Sequence, residues 1–395
     1  MVVSILFCIF AAANKNIRLM SNQLNNLFVY GTATSGECFM DRENETARLK
    51  MNFSHGINTM LISPRRWGKT SLVKHVCEQM TDQSQVKMVQ MDVFSCRTPE
   101  DFYATFATEI IRQTSTKTEE LIENARKFLS GLVPKISFGP DPFHEVSFSL
   151  EPNSHPYTED VLDLPEIIAK EKGINIYICI DEFQQIGEMT NSLAFQKKLR
   201  SYWQHHQHTH YCLYGSKRHL LMNMFCRYSY PFYHFGDTIF LQPIPTPYWI
   251  TYIQQRFQLS GKQVSEELCT QICDYVENNS SYVQQLAWLL WTRTEQIACQ
   301  QALEVAKKDL MQLNHFLFQN YVEPLSAYQI RLLRAIAHGH ETQLSSQAII
   351  QQYNLGSSAN VDKLKKSLED KELIEVGKNT IIADPLFKKW VITNL

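Results

Sequence analysis

The stretch LISPRRWGKTSLVKHV, residues 61–76, decides the fold. Gly68, Lys69 and Thr70 close the phosphate-loop pattern G-x-x-x-x-G-K-[ST], and Ser63 stands where that pattern begins with glycine. The preceding run NTMLI (58–62) is short and apolar, like a strand. From Ser71 onward, Leu72, Val73, Val76 and Met80 recur at helical spacing. Strand, tight loop and helix together give the motif its physical sense. Backbone N–H groups at the helix start, backed by the positive end of the helix dipole, point at a phosphate. Gly68 lets the main chain approach without a Cβ. Lys69 reaches the terminal phosphates and Thr70 offers its hydroxyl to Mg²⁺. Ser63, Pro64, Arg65, Arg66, Trp67 and Ser71 complete the loop expected to hold a nucleotide. A serine at 63 loads the turn sterically and leaves the groups that meet phosphate in place.

A second element has to hold the metal. GINIYICIDEFQQI (173–186) is a continuous apolar run ending in two acids, as in a strand buried on both faces of a parallel sheet. Asp181 at its end is placed as an outer-sphere ligand of Mg²⁺, and Glu182 to orient or deprotonate water. Lys69 and Glu182 are therefore the expected catalytic residues, and Thr70 and Asp181 the expected metal ligands.

Further strand patterns at VKMVQMDVF (86–94), HYCLYGS (210–216) and DTIFLQPIP (237–245) alternate with helical ones. That alternation predicts an α/β domain with a parallel sheet over residues 20–245. Within it, residues 114–165 read as an insertion: a charged helix, TEELIENARKFL, then two alternating runs around Gly139-Pro140-Asp141-Pro142, a hairpin signal. Residues 246–320 read as helices only, a lid. Residues 321–395 read as three helices and a hairpin turning at Gly377-Lys378-Asn379, the outline of a winged helix.

The chain of 395 residues is 44% hydrophobic and 20% charged with a formal net charge of -2, so no whole-protein basic field argues for nucleic acid. Its ten cysteines are scattered without a C-x-x-C pair, which excludes a sequence-visible zinc or disulfide framework and points to a reducing, cytoplasmic setting. The apolar run MVVSILFCIFAAA at the start is too short to span a bilayer and no Lys or Arg precedes it. Residues 1–19 are expected to be a disordered leader or a mis-assigned start, with Met20 opening an ordinary cytoplasmic sequence; the alternative is a weak export or membrane signal. No membrane span is expected.

The pieces NNLFVYG (25–31), FMDRENE (39–45), ISPRRWGKTSL (62–72), ICIDEFQQI (178–186), YGSKRHLLMNMF (214–225) and ADPLFKKW (383–390) occur in the order found in the archaeal-type ATPases of prokaryotes. The chain resembles that family, which lies within the broader P-loop group that includes signalling NTPases and origin-recognition ATPases. The resemblance implies an ATP-binding domain, a helical lid and a C-terminal winged helix. It places Ser216 at the polar position that watches the γ-phosphate and Arg42 in the F-x-G-R-x-x-E box that abuts the nucleotide base. Asp41 and Ser63 depart from it, each standing where glycine is usual. Absence of an N-K-x-D motif for guanine, together with the resemblance, favours ATP.

Weaker signals carry less chemistry. His205, His206, His208 and His210 could suggest a metal, but no acid or cysteine lies at ligand spacing, so they read as loop histidines. Arg65 and Arg66 read equally as stabilisers of transferred charge and as solvated loop residues. Arg293 is the nearest arginine to the lid segment NSSYVQQLA (279–287). In VDKLKKSLEDKE, Lys363, Lys365, Lys366 and Lys371 could meet DNA phosphates, but Asp362, Glu369, Asp370 and Glu372 share the helix, and Leu364, Leu368 and Leu373 read as core. The expected function is a Mg²⁺-dependent ATPase acting as a switch or motor, with ATP between the α/β domain and the lid. A protein partner is expected, and DNA is a candidate through the winged helix. The alternative is a nucleotide-gated protein- or DNA-binding module with negligible turnover.

Overall fold

The computed structural model describes residues 27–34, 39–81, 85–115, 132–136, 146–150 and 157–395. The leader (1–19), the charged helix expected over 118–129 and the Gly-Pro-Asp-Pro turn lie outside the described residues. The chain divides into two compact units: Arg42–Gln242, and Pro243–Leu395 together with the residues up to Asp41.

The first unit runs α1 (Glu43–Ser54), β1 (Thr59–Ile62), α2 (Lys69–Met80), β2 (Val86–Asp92), α3 (Pro99–Thr114), β3 (Leu132–Ile136), β4 (Val146–Leu150), α4 (Tyr157–Lys172), β5 (Asn175–Asp181), α5 (Gln185–Glu188), α6 (Ser192–Trp203), β6 (Thr209–Gly215), α7 (Arg218–Cys226) and β7 (Asp237–Phe240). Five of the strands form one parallel sheet in the order β2-β5-β6-β1-β7. Every residue of β1 and β6 is buried, which is why both lack the polar alternation of a half-exposed strand. The expected parallel sheet flanked by helices is present. Pro99 opens α3, and Thr98 and Asp101 cap it reciprocally. β3 and β4 pair antiparallel, from Leu132 opposite Leu150 to Ile136 opposite Val146.

Helix α4 was not legible as a helix. It contains Pro165, which removes one backbone donor, yet Val161, Leu162, Leu164, Ile168 and Ala169 are all fully buried. Tertiary burial carries the helix past its proline. The core beneath it is rich in rings: Phe102, Phe106, Phe183, Phe232 and Phe235 surround Trp203, which stacks on Tyr211 at 4.2 Å.

The second unit comprises α8 (Thr246–Leu259), α9 (Glu266–Tyr275), α10 (Ser280–Thr292), α11 (Gln300–Val322), α12 (Ala327–Ala337), α13 (Gln347–Tyr353), α14 (Ser358–Asp370), β8 (Ile374–Val376), β9 (Thr380–Ile382) and α15 (Pro385–Asn394). Three helices, the β8–β9 wing and α15 make the winged-helix domain. Its helices share one continuous core with α8–α11. Tyr282 Oη donates to Asp384 Oδ2 at 2.7 Å, tying α10 to the residue that caps α15. Arg293 is engaged within this unit, by Asp309 and by the Leu289 carbonyl at 3.1 Å. Among the described residues no helix is long and apolar enough to cross a membrane, and the eight described cysteines are free thiols.

Candidate nucleotide-binding site

The parallel sheet brings the carboxyl ends of β1, β5 and β6 to one edge, the edge at which open α/β sheets carry ligands. Pairing of Ile62 with Gly215 and of Ile180 with Leu213 sets the level of that edge. The phosphate loop leaves β1 at Ser63, which is buried and whose Oγ donates to the Pro64 carbonyl at 2.8 Å. Ser63 is not among the residues of positive φ. The left-handed turns of the loop fall instead on Arg66 (φ 66°) and Gly68 (φ 87°). The backbone therefore makes no demand for glycine at 63. Gly68 meets the demand at 68, with nothing within 4 Å of where its Cβ would be. It precedes α2, whose N-terminus has no side-chain cap. Pro64, Trp67 and Gly68 are half-buried, Arg65 and Arg66 exposed, and Lys69 and Ser71 buried.

Thr70 Oγ1 donates to Asp181 Oδ2 at 2.9 Å across 111 residues of sequence. That bond joins the end of the loop to the end of the acidic strand, although β6 lies between β1 and β5. Burial pushes the Asp181 carboxyl up to about 6, against the opposing pull of the Lys69 charge, the Thr70 hydroxyl and the Glu182 amide. Glu182 adopts φ 53°. Its Oε2 accepts from Ser216 Oγ at 2.8 Å and from Gln184 Nε2. Ser216 thus meets Glu182 directly, and Gln184 was not singled out from sequence. Its position two residues beyond Glu182 was the available signal.

Arg42 is 3% exposed and its guanidinium is turned inward. Nη1 donates to the Gln242 carbonyl at 2.6 Å and to Glu45 Oε1 at 3.0 Å, while Nη2 donates to the Trp67 carbonyl at 3.0 Å. The arginine expected beside a nucleotide base here braces the phosphate loop's backbone, and Glu45 of the same box orients it. Asp41 takes φ 54°, a conformation that glycine adopts without strain.

His205, His206 and His208 lie in the loop between α6 and β6, as expected. His210 lies within β6, and the His206 side chain is only 2% exposed. The acidic partners of His206 and His208 come from α4. His206 Nε2 lies 3.0 Å from Asp163 Oδ1 and His208 Nδ1 lies 3.1 Å from Glu166 Oε1. The His210 ring occupies the space over Gly56, where a Cβ would come within 2.7 Å of it. His206 and His210 are packed structural groups while His205 is exposed, and no cluster of three His, Cys, Asp or Glu suited to a metal occurs among the described residues.

Residues 316–393 match a family model described as a probable winged helix domain. No curated protein matches the chain in sequence. Solved structures similar over nearly the whole length include a Walker-type ATPase of Pyrococcus abyssi, at 18% identity over 92% of this chain and 99% of that one, with a TM-score of 0.67. The ORC2 protein of Aeropyrum pernix is similar in its ADPNP–ADP complexes, at 14% identity over 94% of this chain and 95% of that one, with a TM-score of 0.57. Its ADP form gives 15% identity, coverage of 91% and 96%, and a TM-score of 0.52. At such identities the likeness is one of fold: a P-loop NTPase core with a C-terminal winged-helix domain.

Proposed function

We propose that this protein binds ATP with Mg²⁺ and hydrolyses it, as an ATPase of the archaeal type working as a molecular switch or motor in the cytoplasm. One observation carries the reading, the 2.9 Å bond between Thr70 Oγ1 and Asp181 Oδ2. A chance G-K-T in a surface loop has no reason to meet the acid that ends a separate strand. The two oxygens are hard donors of the kind Mg²⁺ takes, and the Asp181 carboxyl, held near 6 by burial, is a charge that a cation would balance. Thr70 and Asp181 would hold the metal, which when bound neutralises charge on the phosphates.

The chain's own residues account for the remaining roles. Lys69 and the loop N–H groups bind and orient the phosphates, Gly68 permits their approach, and Arg42 keeps the loop backbone in place. Glu182 orients the attacking water and accepts its proton. The ADPNP and ADP complexes of Aeropyrum pernix ORC2 support ATP as the nucleotide.

The test is Mg²⁺-dependent phosphate release. Wild type should release phosphate, Glu182→Gln should bind ATP and release it at least about a hundredfold more slowly, and Lys69→Ala should lose ATP binding. Unchanged affinity in Lys69→Ala would put the site elsewhere.

The winged-helix domain at 316–393 supports the second reading, a nucleotide-gated protein- or DNA-binding module with negligible turnover. On α14, Val361, Leu364 and Leu368 are buried, and Lys365 pairs with Asp362 at 3.3 Å, so Lys363 and Lys366 are the phosphate contacts such a module would use. ATP bound without release, and a partner bound only with nucleotide, would select this reading.

A further inference from the structure

Two local costs converge beside one carboxylate oxygen. Glu182 is a non-glycine residue at φ 53°. Gln184, only 2% exposed, donates through Nε2 to Glu182 Oε2, the same oxygen that accepts Ser216 Oγ. The far side of that amide, Gln184 Oε1, is buried without a hydrogen-bond partner, which costs the desolvation of the oxygen. It lies where Gly215 lacks a side chain, since a Cβ there would come within 1.8 Å of it. Gly215 is not among the glycines of positive φ, so the absent side chain makes room and relieves no backbone strain.

We propose that Gln184 is a positioning residue for hydrolysis: with Ser216 it fixes Glu182 through Oε2, leaving Oε1 to act on water, and residue 215 is glycine because the Gln184 amide fills its side-chain place. The step rests on the ATPase reading above. The oxygen of water bonds to the γ-phosphorus as the bond from that phosphorus to the ADP oxygen breaks, and the water's proton passes to Glu182 Oε1. A general base works only when its oxygen is aimed, and two donors on the other oxygen remove the carboxylate's rotational freedom. Strain and an unpaired acceptor kept together at a site mark a geometry held for use.

Gln184→Met keeps the length of the side chain and removes the donor. ATP affinity, measured by equilibrium dialysis, should stay within about threefold of wild type, while phosphate release at saturating ATP falls about ten- to a hundredfold. The melting temperature should not fall, because the unpaired oxygen goes with the amide. Lower melting with release intact would make Gln184 merely structural and overturn the proposal, as would unchanged or faster release.

A nucleotide-free arm tests the steric link. Gly215→Ala should lower the melting temperature in the wild-type background and lower it clearly less in Gln184→Ala, where the Glu182 Cα at 3.2 Å is the close contact that remains. Equal losses in both backgrounds would break the link. A wild type that neither binds nor hydrolyses ATP overturns the hydrolytic role with the reading beneath it, and the melting arm then shows whether the glycine–glutamine pairing failed as well.

Discussion

Two carboxylates lie at opposite edges of the same sheet, and the fold treats them in opposite ways. At the amino edge, Glu166 of α4 accepts the backbone N–H groups of Gln207 at 3.1 Å and His208 at 3.0 Å, and it also meets His208 Nδ1 and Lys170. Burial alone would push its carboxyl up, but those hydrogen bonds hold it at about 2. At the carboxyl edge, Asp181 accepts from Thr70 and from the Glu182 N–H at 2.8 Å, and burial wins, carrying it to about 6. The first charge is balanced by the protein and belongs to the scaffold. The second is offset only in part, as expected of the candidate site.

The sharpest way to break that contrast is Glu166→Gln. An amide cannot accept all of those donors, so the protein should lose about 2 kcal/mol of stability at neutral pH, with ATP affinity unchanged. Because the folded carboxyl is held below its ordinary range, this contribution is present above the unfolded value and disappears as pH falls toward about 2. Denaturant melts at several pH values would read it. Equal stability of the variant at pH 7 would remove Glu166 from the scaffold.

Asp181→Asn should act with the opposite sign on the nucleotide-free protein. The raised carboxyl is no penalty below the unfolded value; the penalty grows as pH rises from there and is complete above about 6, so the variant should be more stable by about 1 kcal/mol at pH 8 and equal near pH 4. Mg²⁺-dependent nucleotide binding should weaken in the same variant. A loss of stability at pH 8 would show that Asp181 is scaffold after all.

The smallest effect is expected at Ser63→Gly, which restores the usual loop pattern. Position 63 needs no positive φ, so glycine should leave ATP affinity within about twofold and cost about 0.5 kcal/mol in stability. A large gain in affinity would show that the serine, and not the loop's other residues, limits the site.

Much of this site was legible because phosphate chemistry needs neighbouring residues of fixed type. Gly68, Lys69 and Thr70 lie in one turn, and Asp181 and Glu182 end one apolar run. What was not legible involves residues far apart in the chain. The acids that serve the histidine run sit on α4, which Pro165 disguises, and Arg42 reaches its carbonyl partners across 25 and 200 residues.

The sequence by itself determined the alternation of buried strands with helices, the phosphate loop, the acidic strand end and the winged-helix outline, because each follows from local periodicity and local chemistry. Only the tertiary structure decided that Thr70 meets Asp181, that Ser216 and Gln184 share one oxygen of Glu182, and that Arg42 turns inward to the loop. Those facts depend on the order in which five strands lie side by side, and strand order is set by packing that no local stretch of sequence contains.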